Sequence, residues 1–426
     1  MNRRTIATAA LAFCFLTVPV SALARSRDGA VLSETQTAVA PRLPIPSGPF
    51  GIGRIGLDWI DSTRPDRYAS DPYAHRELMV YLWYPIQKRA AGVRGVYLPG
   101  AREMDANPET QKRQRGEFEA AWPFIVSGEV YSHAVANAAP ARTPKRFPLV
   151  VFSHGLGGGS GLEYTLLIED LVSRGYVVAA IEHTEVAGVV YFPDGRIVPA
   201  HQDSPPAGLT PDESFRWMAA RIGEGIAEGA GDVRFVLDRL AAMNSAERKS
   251  FPLAGRIDLN RVVAMGHSAG AEFAVRACQL DSRFKSCVDL DGGMVPVAAL
   301  PDFGDGATVK QPLLFLEAYY PESRMGGTYE QHLEYFRKKE AQLAACAPGS
   351  FDVTLHPDGF FHGSFSDYPL LVAGNSAASA VALHNQLLVQ SFVRAFLDKT
   401  LNNKSEPMFD DPGLHPAEAD VRPIGH

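Results

Sequence analysis

Gly266-His267-Ser268-Ala269-Gly270 sets one serine between two glycines, directly after the apolar run Arg261-Val-Val-Ala-Met265. A G-x-S-x-G pentapeptide in that position predicts a strand, a tight turn and the start of a helix. The geometry answers a chemical need. A serine hydroxyl is a weak nucleophile, so a base must reach it from one side. From the other side, backbone N–H groups at the helix start must meet the charge that develops on an attacked carbonyl. Glycine suits positions 266 and 270 because side chains there would collide with the neighbouring strand and helix. The pentapeptide is short enough to arise by chance, so its partners decide its meaning.

Where this turn carries the nucleophile, the acid and then the histidine follow later in the chain. Of twelve histidines, His332, His356, His362, His384, His415 and His426 come after Ser268. His332 and His384 fall inside predicted helices, His356 ends a predicted strand, and His415 and His426 lie near the C-terminus. His362 sits in the loop Asp358-Gly-Phe-Phe-His-Gly363 just beyond the last predicted parallel strand, where ligands and catalytic groups gather. It is the candidate base. Asp291 ends Val288-Asp-Leu-Asp291 at a strand's carboxyl end and is the candidate acid. Asp289 lies deeper on the same face. Glu317, closing the following strand Leu313–Ala318, competes with Asp291 because an acid there is the commoner arrangement. His154-Gly-Leu-Gly-Gly-Gly159 follows an early apolar strand, and its Leu156 N–H can join that of Ala269 in an oxyanion hole. No G-K-[ST] follows that loop. Gly51-Ile-Gly-Arg-Ile-Gly56 spells a nucleotide motif inside a predicted strand, which is the wrong context for it.

The elements that must position these groups alternate. Strands are predicted over Gly51–Asp61, Leu78–Tyr84, Pro148–Ser153, Tyr176–Ile181, Arg261–Met265, Cys287–Leu290, Leu313–Leu316 and Phe351–Leu355. Helices are predicted over Glu163–Ser173, Ala271–Gln279, Tyr329–Ala345 and Ala380–Leu397. A further helix over Glu213–Met243 is expected to break near Gly229-Ala-Gly231. Val189–Val198, interrupted by Pro193-Asp-Gly195, reads as a hairpin, and residues 100–145 as surface loops and short helices. Continuous apolar strands between helices imply a mostly parallel central sheet with helices on both faces, an α/β-hydrolase fold. The hydrolase domain is placed at 48–400, behind an extended Pro-rich arm at 25–47 and ahead of a polar surface tail at 401–426.

Residues 1–24 carry the three parts of a secretory signal: Arg3-Arg4, the apolar stretch Ile6–Val20, and Ala22-Leu-Ala24. The chain is thus expected to be exported, periplasmic or secreted, with the Sec and twin-arginine routes both open. Losing Arg3 and Arg4 moves the formal charge from −7 to −9. That acidity argues against nucleic acid or an anionic membrane surface as a partner, and no basic amphipathic helix suggests membrane docking. Cys278, Cys287 and Cys346 match no zinc spacing. In an exported chain Cys278 and Cys287 form either a disulfide or two buried thiols.

Together these blocks resemble the plasma-type platelet-activating factor acetylhydrolase family. The resemblance covers roughly residues 45–400. Its marks are Gly48-Pro-Phe-Gly-Ile-Gly53, Leu82-Trp-Tyr-Pro85, Leu149-Val-Val-Phe-Ser-His-Gly-Leu-Gly157, Glu182-His183, Gly266–Gly270, Leu290-Asp291, and His362 with Phe365-Ser-Asp367. It implies a serine esterase without metal or cofactor, with Ser268, Asp291 and His362 as triad and Leu156 and Ala269 as oxyanion donors. It favours Asp291 over Glu317 and implies a short-chain or lipid-like ester as substrate, with a polyester, lactone or aryl ester on the same triad, or a non-catalytic binding protein on this scaffold, as the alternatives. Two glycines after Asp291 and a divergent stretch at 186–230 set this chain apart from that pattern.

Overall fold

A computed structural model describes residues 39–425, apart from 70, 89, 91, 157–159, 185, 202–203, 246–250, 293–308, 321–328 and 375. The signal at 1–24 and most of the arm lie outside the described residues. An early antiparallel part comprises β1 (Gly51–Pro65), β2 (His75–Ile86), β3 (Arg94–Val96) and β4 (Tyr131–Ala136). The parallel strands are β5 (Phe147–Ser153), β6 (Val177–Glu182), β9 (Ile257–His267), β10 (Phe284–Leu290), β11 (Leu313–Ala318) and β12 (Ser350–Leu355). The hairpin forms as expected from β7 (Val189–Tyr191) and β8 (Ile197–Pro199). With β13 (Ala419–Ile424), the main sheet runs β13-β12-β11-β10-β9-β5-β6-β2-β1-β4-β3. The six strands from β12 to β6 are mutually parallel.

The pleat explains why the parallel strands read as unbroken apolar runs. Val150, Phe152, Val178, Ala180, Val263 and Met265 enter one core cluster. Their neighbours Leu149, Val151, Val177, Ala179, Val262 and Ala264 enter another on the opposite face. Alternate side chains point to opposite faces, so a strand covered on both sides must be apolar throughout. The first face is covered by α1 (Ala101–Ala106), α2 (Pro108–Phe118), α3 (Trp122–Ser127), α4 (Thr165–Ser173), α8 (Tyr368–Ala373) and α9 (Ala377–Asn402). The second is covered by α5 (Pro211–Met243), α6 (Ala269–Leu280) and α7 (Tyr329–Ala344).

Three expectations are corrected. Helix α5 does not break at Gly229-Ala-Gly231 but runs unbroken for 33 residues behind a Thr210/Glu213 capping box. The glycines there serve packing: a Cβ on Gly229 would fall 2.3 Å from the Phe273 ring of α6. The segment 100–145 is not merely surface, since Met104, Phe118, Trp122 and Ile125 are buried in the core. The stretch 401–426 is no free tail. Phe409, in the short helix α10 (Pro407–Asp410), packs 4.4 Å from the Phe351 ring, and β13 closes the sheet antiparallel to β12. An edge strand with one half-buried face lacks the apolar run that marks a central one. Of the two thiol readings, the free one holds: Cys278, Cys287 and Cys346 are buried and unbridged.

One buried ionic cluster ties α5 to the sheet. Asp232 of α5 accepts bonds from Arg76 Nη2 of β2 at 2.8 Å, Arg64 Nη2 at 2.8 Å and His183 Nδ1 at 2.9 Å. Burial works to raise its pKa, but the Arg76 charge and the His183 bond hold it far below the carboxylate range. Two of the four glycines of α5, Gly225 and Gly229, predict opposite responses to alanine. Gly225→Ala meets open space and should raise stability by about 0.5–1 kcal/mol. Gly229→Ala should lower it by about 1–3 kcal/mol through overpacking against Phe273. Urea titration of the two variants checks the pair.

Candidate active site

Ser268 occupies the turn between β9 and α6 with φ 55° and ψ −128°. A non-glycine residue held there stores about 1–3 kcal/mol of strain, which surrounding bonds must outweigh. Its N–H donates to the Leu290 carbonyl at 2.9 Å, and its carbonyl accepts from Ala271 at 2.9 Å. The flanking glycines are required by contact. A Cβ on Gly266 would sit 2.1 Å from the Gly270 oxygen, and one on Gly270 would sit 2.3 Å from the Ser153 and His154 oxygens. Helix α6 begins at Ala269, so the Ala269 N–H belongs to the first turn, where amides lack partners within the helix and the dipole is positive.

Asp291 follows β10 directly and also has positive φ, at 54°. Its N–H donates to the Leu316 carbonyl at 2.8 Å, and its Oδ1 accepts from Ala318 N–H at 2.9 Å. Its Oδ2 lies 2.7 Å from His362 Nδ1 and also accepts from the Tyr320 hydroxyl. A carboxylate only accepts, so His362 carries its proton on Nδ1 and presents Nε2 as the base. His362 lies in a 3-10 turn (His362–Phe365) beyond β12. Its carbonyl accepts from His267 Nε2 at 3.0 Å, and the two rings sit 4.4 Å apart. His267 Nδ1 faces the Tyr164 hydroxyl at 2.7 Å, and Phe365 stacks at 5.5 Å. Burial, then the charge of His362, keeps His267 well below its ordinary pKa, so it stays a neutral strut.

The rival acids are occupied elsewhere. Asp289 is fully buried and accepts from the Gly292 N–H at 2.7 Å. Burial, with the charges of Asp291 and Glu317 added, pushes its carboxyl up to about 8. Glu317 pairs with Lys339 at 2.5 Å and accepts from Thr354 at 3.1 Å. Of the other histidines, His356 faces Asp420 at 3.7 Å and His384 faces Glu418 at 2.9 Å, both at the β13 end.

The loop after β5 crosses beside the serine: a Cβ on Gly155 would lie 3.1 Å from Ser268 Cβ. Leu156 follows with its side chain exposed, while Gly157–Gly159 and Gly293 lie outside the described residues. Gly51–Gly56 lies inside β1, as its strand reading required. Among the described residues, one group is close enough to suggest a metal: His267, Asp291 and His362, with ligand atoms within 4.8 Å. Those atoms already bond to one another or to the His362 carbonyl, which is the wiring of an acid–base relay. Phe365 is buried and Phe360 packs edge-on against it at 5.1 Å, so both serve packing. Tyr164, His267 and Tyr320 escaped the sequence reading. Only His267 had a signal, its place inside the pentapeptide.

Platelet-activating factor acetylhydrolase, isoform II, is the family whose pattern matches, over residues 37–202 and 241–402. A platelet-activating factor acetylhydrolase of Cavia porcellus is 26% identical over 318 residues, 71% of this chain and 66% of that one. The Gallus gallus protein of the same name is 28% identical over 209 residues, 45% of this chain and 48% of its own. These alignments thus span less than two thirds of the relatives' own length. A probable 1-alkyl-2-acetylglycerophosphocholine esterase of Arthroderma benhamiae is 23% identical across 87% of this chain and 91% of its own. Among solved structures, a ferulic acid esterase from Streptomyces cinnamoneus superposes with a TM-score of 0.65 at 26% identity, covering 90% of this chain and 99% of that one. Among the described residues no helix is long and apolar enough to cross a membrane. With 328 of 426 residues matched in two blocks that hold both ends of the site, the chain belongs to the platelet-activating factor acetylhydrolase, isoform II, family.

Proposed function

We propose that the protein is an exported serine carboxylic ester hydrolase working through an acyl-enzyme, with Ser268, Asp291 and His362 as its triad. The observation that carries this is the Asp291–His362 pair at two strand ends, beside a strained serine at a third. His362 Nε2 removes the proton as Ser268 Oγ attacks the ester carbonyl. The Leu156 and Ala269 N–H groups receive the oxyanion. His362 then protonates the departing alcohol, and a water activated by the same nitrogen releases the acid. The imidazolium formed between these steps is stabilised by Asp291, whose carboxylate accepts from two donors besides His362, the Ala318 N–H and the Tyr320 hydroxyl, while its own N–H is tied to the Leu316 carbonyl. No cofactor or metal enters this cycle.

Short-chain or lipid-like esters are the substrates the family's named members support. The ferulic acid esterase neighbour supports an aryl ester as the second reading. Export rests on the tripartite pattern of residues 1–24. A protein that kept this scaffold and only bound ligands would have no use for the serine strain or the relay behind it.

Ser268→Ala should lower kcat by about a million-fold and abolish labelling by a fluorophosphonate, read by intact-protein mass. Activity within about ten-fold of wild type, against that expected loss, would end the proposal. Asp291→Asn should cost about 10⁴-fold in kcat by misplacing the imidazole tautomer. Glu317→Gln should leave kcat near wild type, so steady-state kinetics on the pair identifies the acid. Short-chain phospholipids, run against p-nitrophenyl esters and cinnamate esters, separate the substrate readings by kcat/KM. A lipid-like preference shows as at least ten-fold higher values for the first group.

A further inference from the structure

His154 closes the β5 strand and is wholly buried, yet it takes no part in the proton relay. Its two ring nitrogens have separate tasks. Nδ1 lies 2.7 Å from the carbonyl oxygen of Gly155, and Nε2 accepts the backbone N–H of His183 at 3.1 Å. A carbonyl only accepts and an N–H only donates, so the ring is neutral with its proton on Nδ1. Burial, with His183 adding to it, pulls the His154 pKa down to about 3, which agrees with that form.

The Gly155 carbonyl belongs to the same peptide plane as the Leu156 N–H. In a trans peptide these two groups point in opposite directions. Anchoring the carbonyl on His154 fixes the Leu156 N–H on the opposite side of the plane. Gly155 itself runs against Ser268, within 3.1 Å by the position a Cβ would take. A glycine-rich loop has no side chains of its own to hold that orientation, so an external anchor must do it. From these contacts we infer that His154 is a positioning residue which locks the Gly155–Leu156 peptide so that the Leu156 amide faces the oxyanion. The inference rests on the ester hydrolase reading.

The anchor is itself braced. His183 Nε2 meets the Ser153 hydroxyl at 2.9 Å, and His183 Nδ1 meets Asp232, which Arg76 holds from β2. The chain of contacts therefore runs from the buried ion cluster through His183 and His154 to one backbone amide.

The test compares His154→Phe, which removes donor and acceptor, with His154→Gln, which keeps one of each. Turnover is expressed per site titrated with a fluorophosphonate, so unfolded protein does not count. His154→Phe should lower kcat about 10²–10³-fold, the effect of losing one oxyanion donor, while KM moves less than about three-fold because the donor acts mainly in the transition state. His154→Gln should recover most of that loss. Unchanged kcat per titrated site in His154→Phe, or His154→Gln as slow as His154→Phe, overturns the inference. Should His154→Phe not fold, the wild-type adduct with a trifluoromethyl ketone decides it. Its oxygen should sit about 2.7–3.1 Å from the Leu156 nitrogen with the Gly155 carbonyl still on His154, and a rotated peptide overturns the inference. If wild type forms no adduct at Ser268, the ester hydrolase reading itself fails, whatever His154 does.

Discussion

Asp232 holds a full negative charge where no water reaches it, and much of the molecule is arranged around that fact. An isolated carboxylate in such a place would take up a proton rather than stay charged. Here Arg76, Arg64 and His183 converge on it, from β2, from the end of β1 and from the loop after β6. Such a cluster is weak evidence for net stability, since desolvation offsets most of the attraction. Its consequence is geometric. A buried charge tolerates few arrangements of its partners, so α5 is registered against the sheet and His183 cannot turn.

That registry is needed because the site is a meeting of strand ends. Ser268, Asp291 and His362 come from three parallel strands, β9, β10 and β12, all of which finish on the same edge. The ladder pairs His267 with Leu290 and Leu290 with Leu316, so a one-residue slip would carry a site residue to the wrong face. Two positive-φ residues, Ser268 and Asp291, sit at consecutive strand ends, and each is tied by its N–H to the next strand's carbonyl. The sheet thus carries the strain of the turns that aim the side chains.

This explains which parts were legible in the sequence. The parallel strands announce themselves because burial on both faces demands unbroken apolar runs, as in Leu149–Phe152. Ser268 and Asp291 announce themselves because each directly follows a strand, and His362 because its loop follows the last parallel strand. The signal fails where burial is one-sided or where contact, rather than pattern, fixes the residue. Strand β13 is half-exposed at the edge, and its Ala-Asp-Val-Arg-Pro-Ile reads as loop. Gly229 reads as a helix break because nothing in one sequence reveals that Phe273 lies against it. Tyr320 reaches the site from a loop and Tyr164 from the 3-10 turn ahead of α4, and only their hydroxyl contacts distinguish them.

The family match stops at residue 202 and resumes at 241, and Asp232 falls between. Its partners Arg76 and His183 lie inside the matched blocks, as do His154 and the serine turn. A buried arginine and a buried histidine both need an acid, but the helix that supplies it can vary so long as one carboxylate reaches that spot. Chemistry and support therefore obey different constraints here. Ser268 and Asp291 are fixed at their strand ends by backbone bonds to the next strand, whereas Asp232 is fixed by the charges around it. The stretch of α5 that carries Asp232 lies outside both matched blocks, yet its carboxylate holds His183, whose N–H in turn donates to His154. The matched blocks hold the serine turn, Asp291 and His362, while the carboxylate that braces His183 comes from the stretch between them.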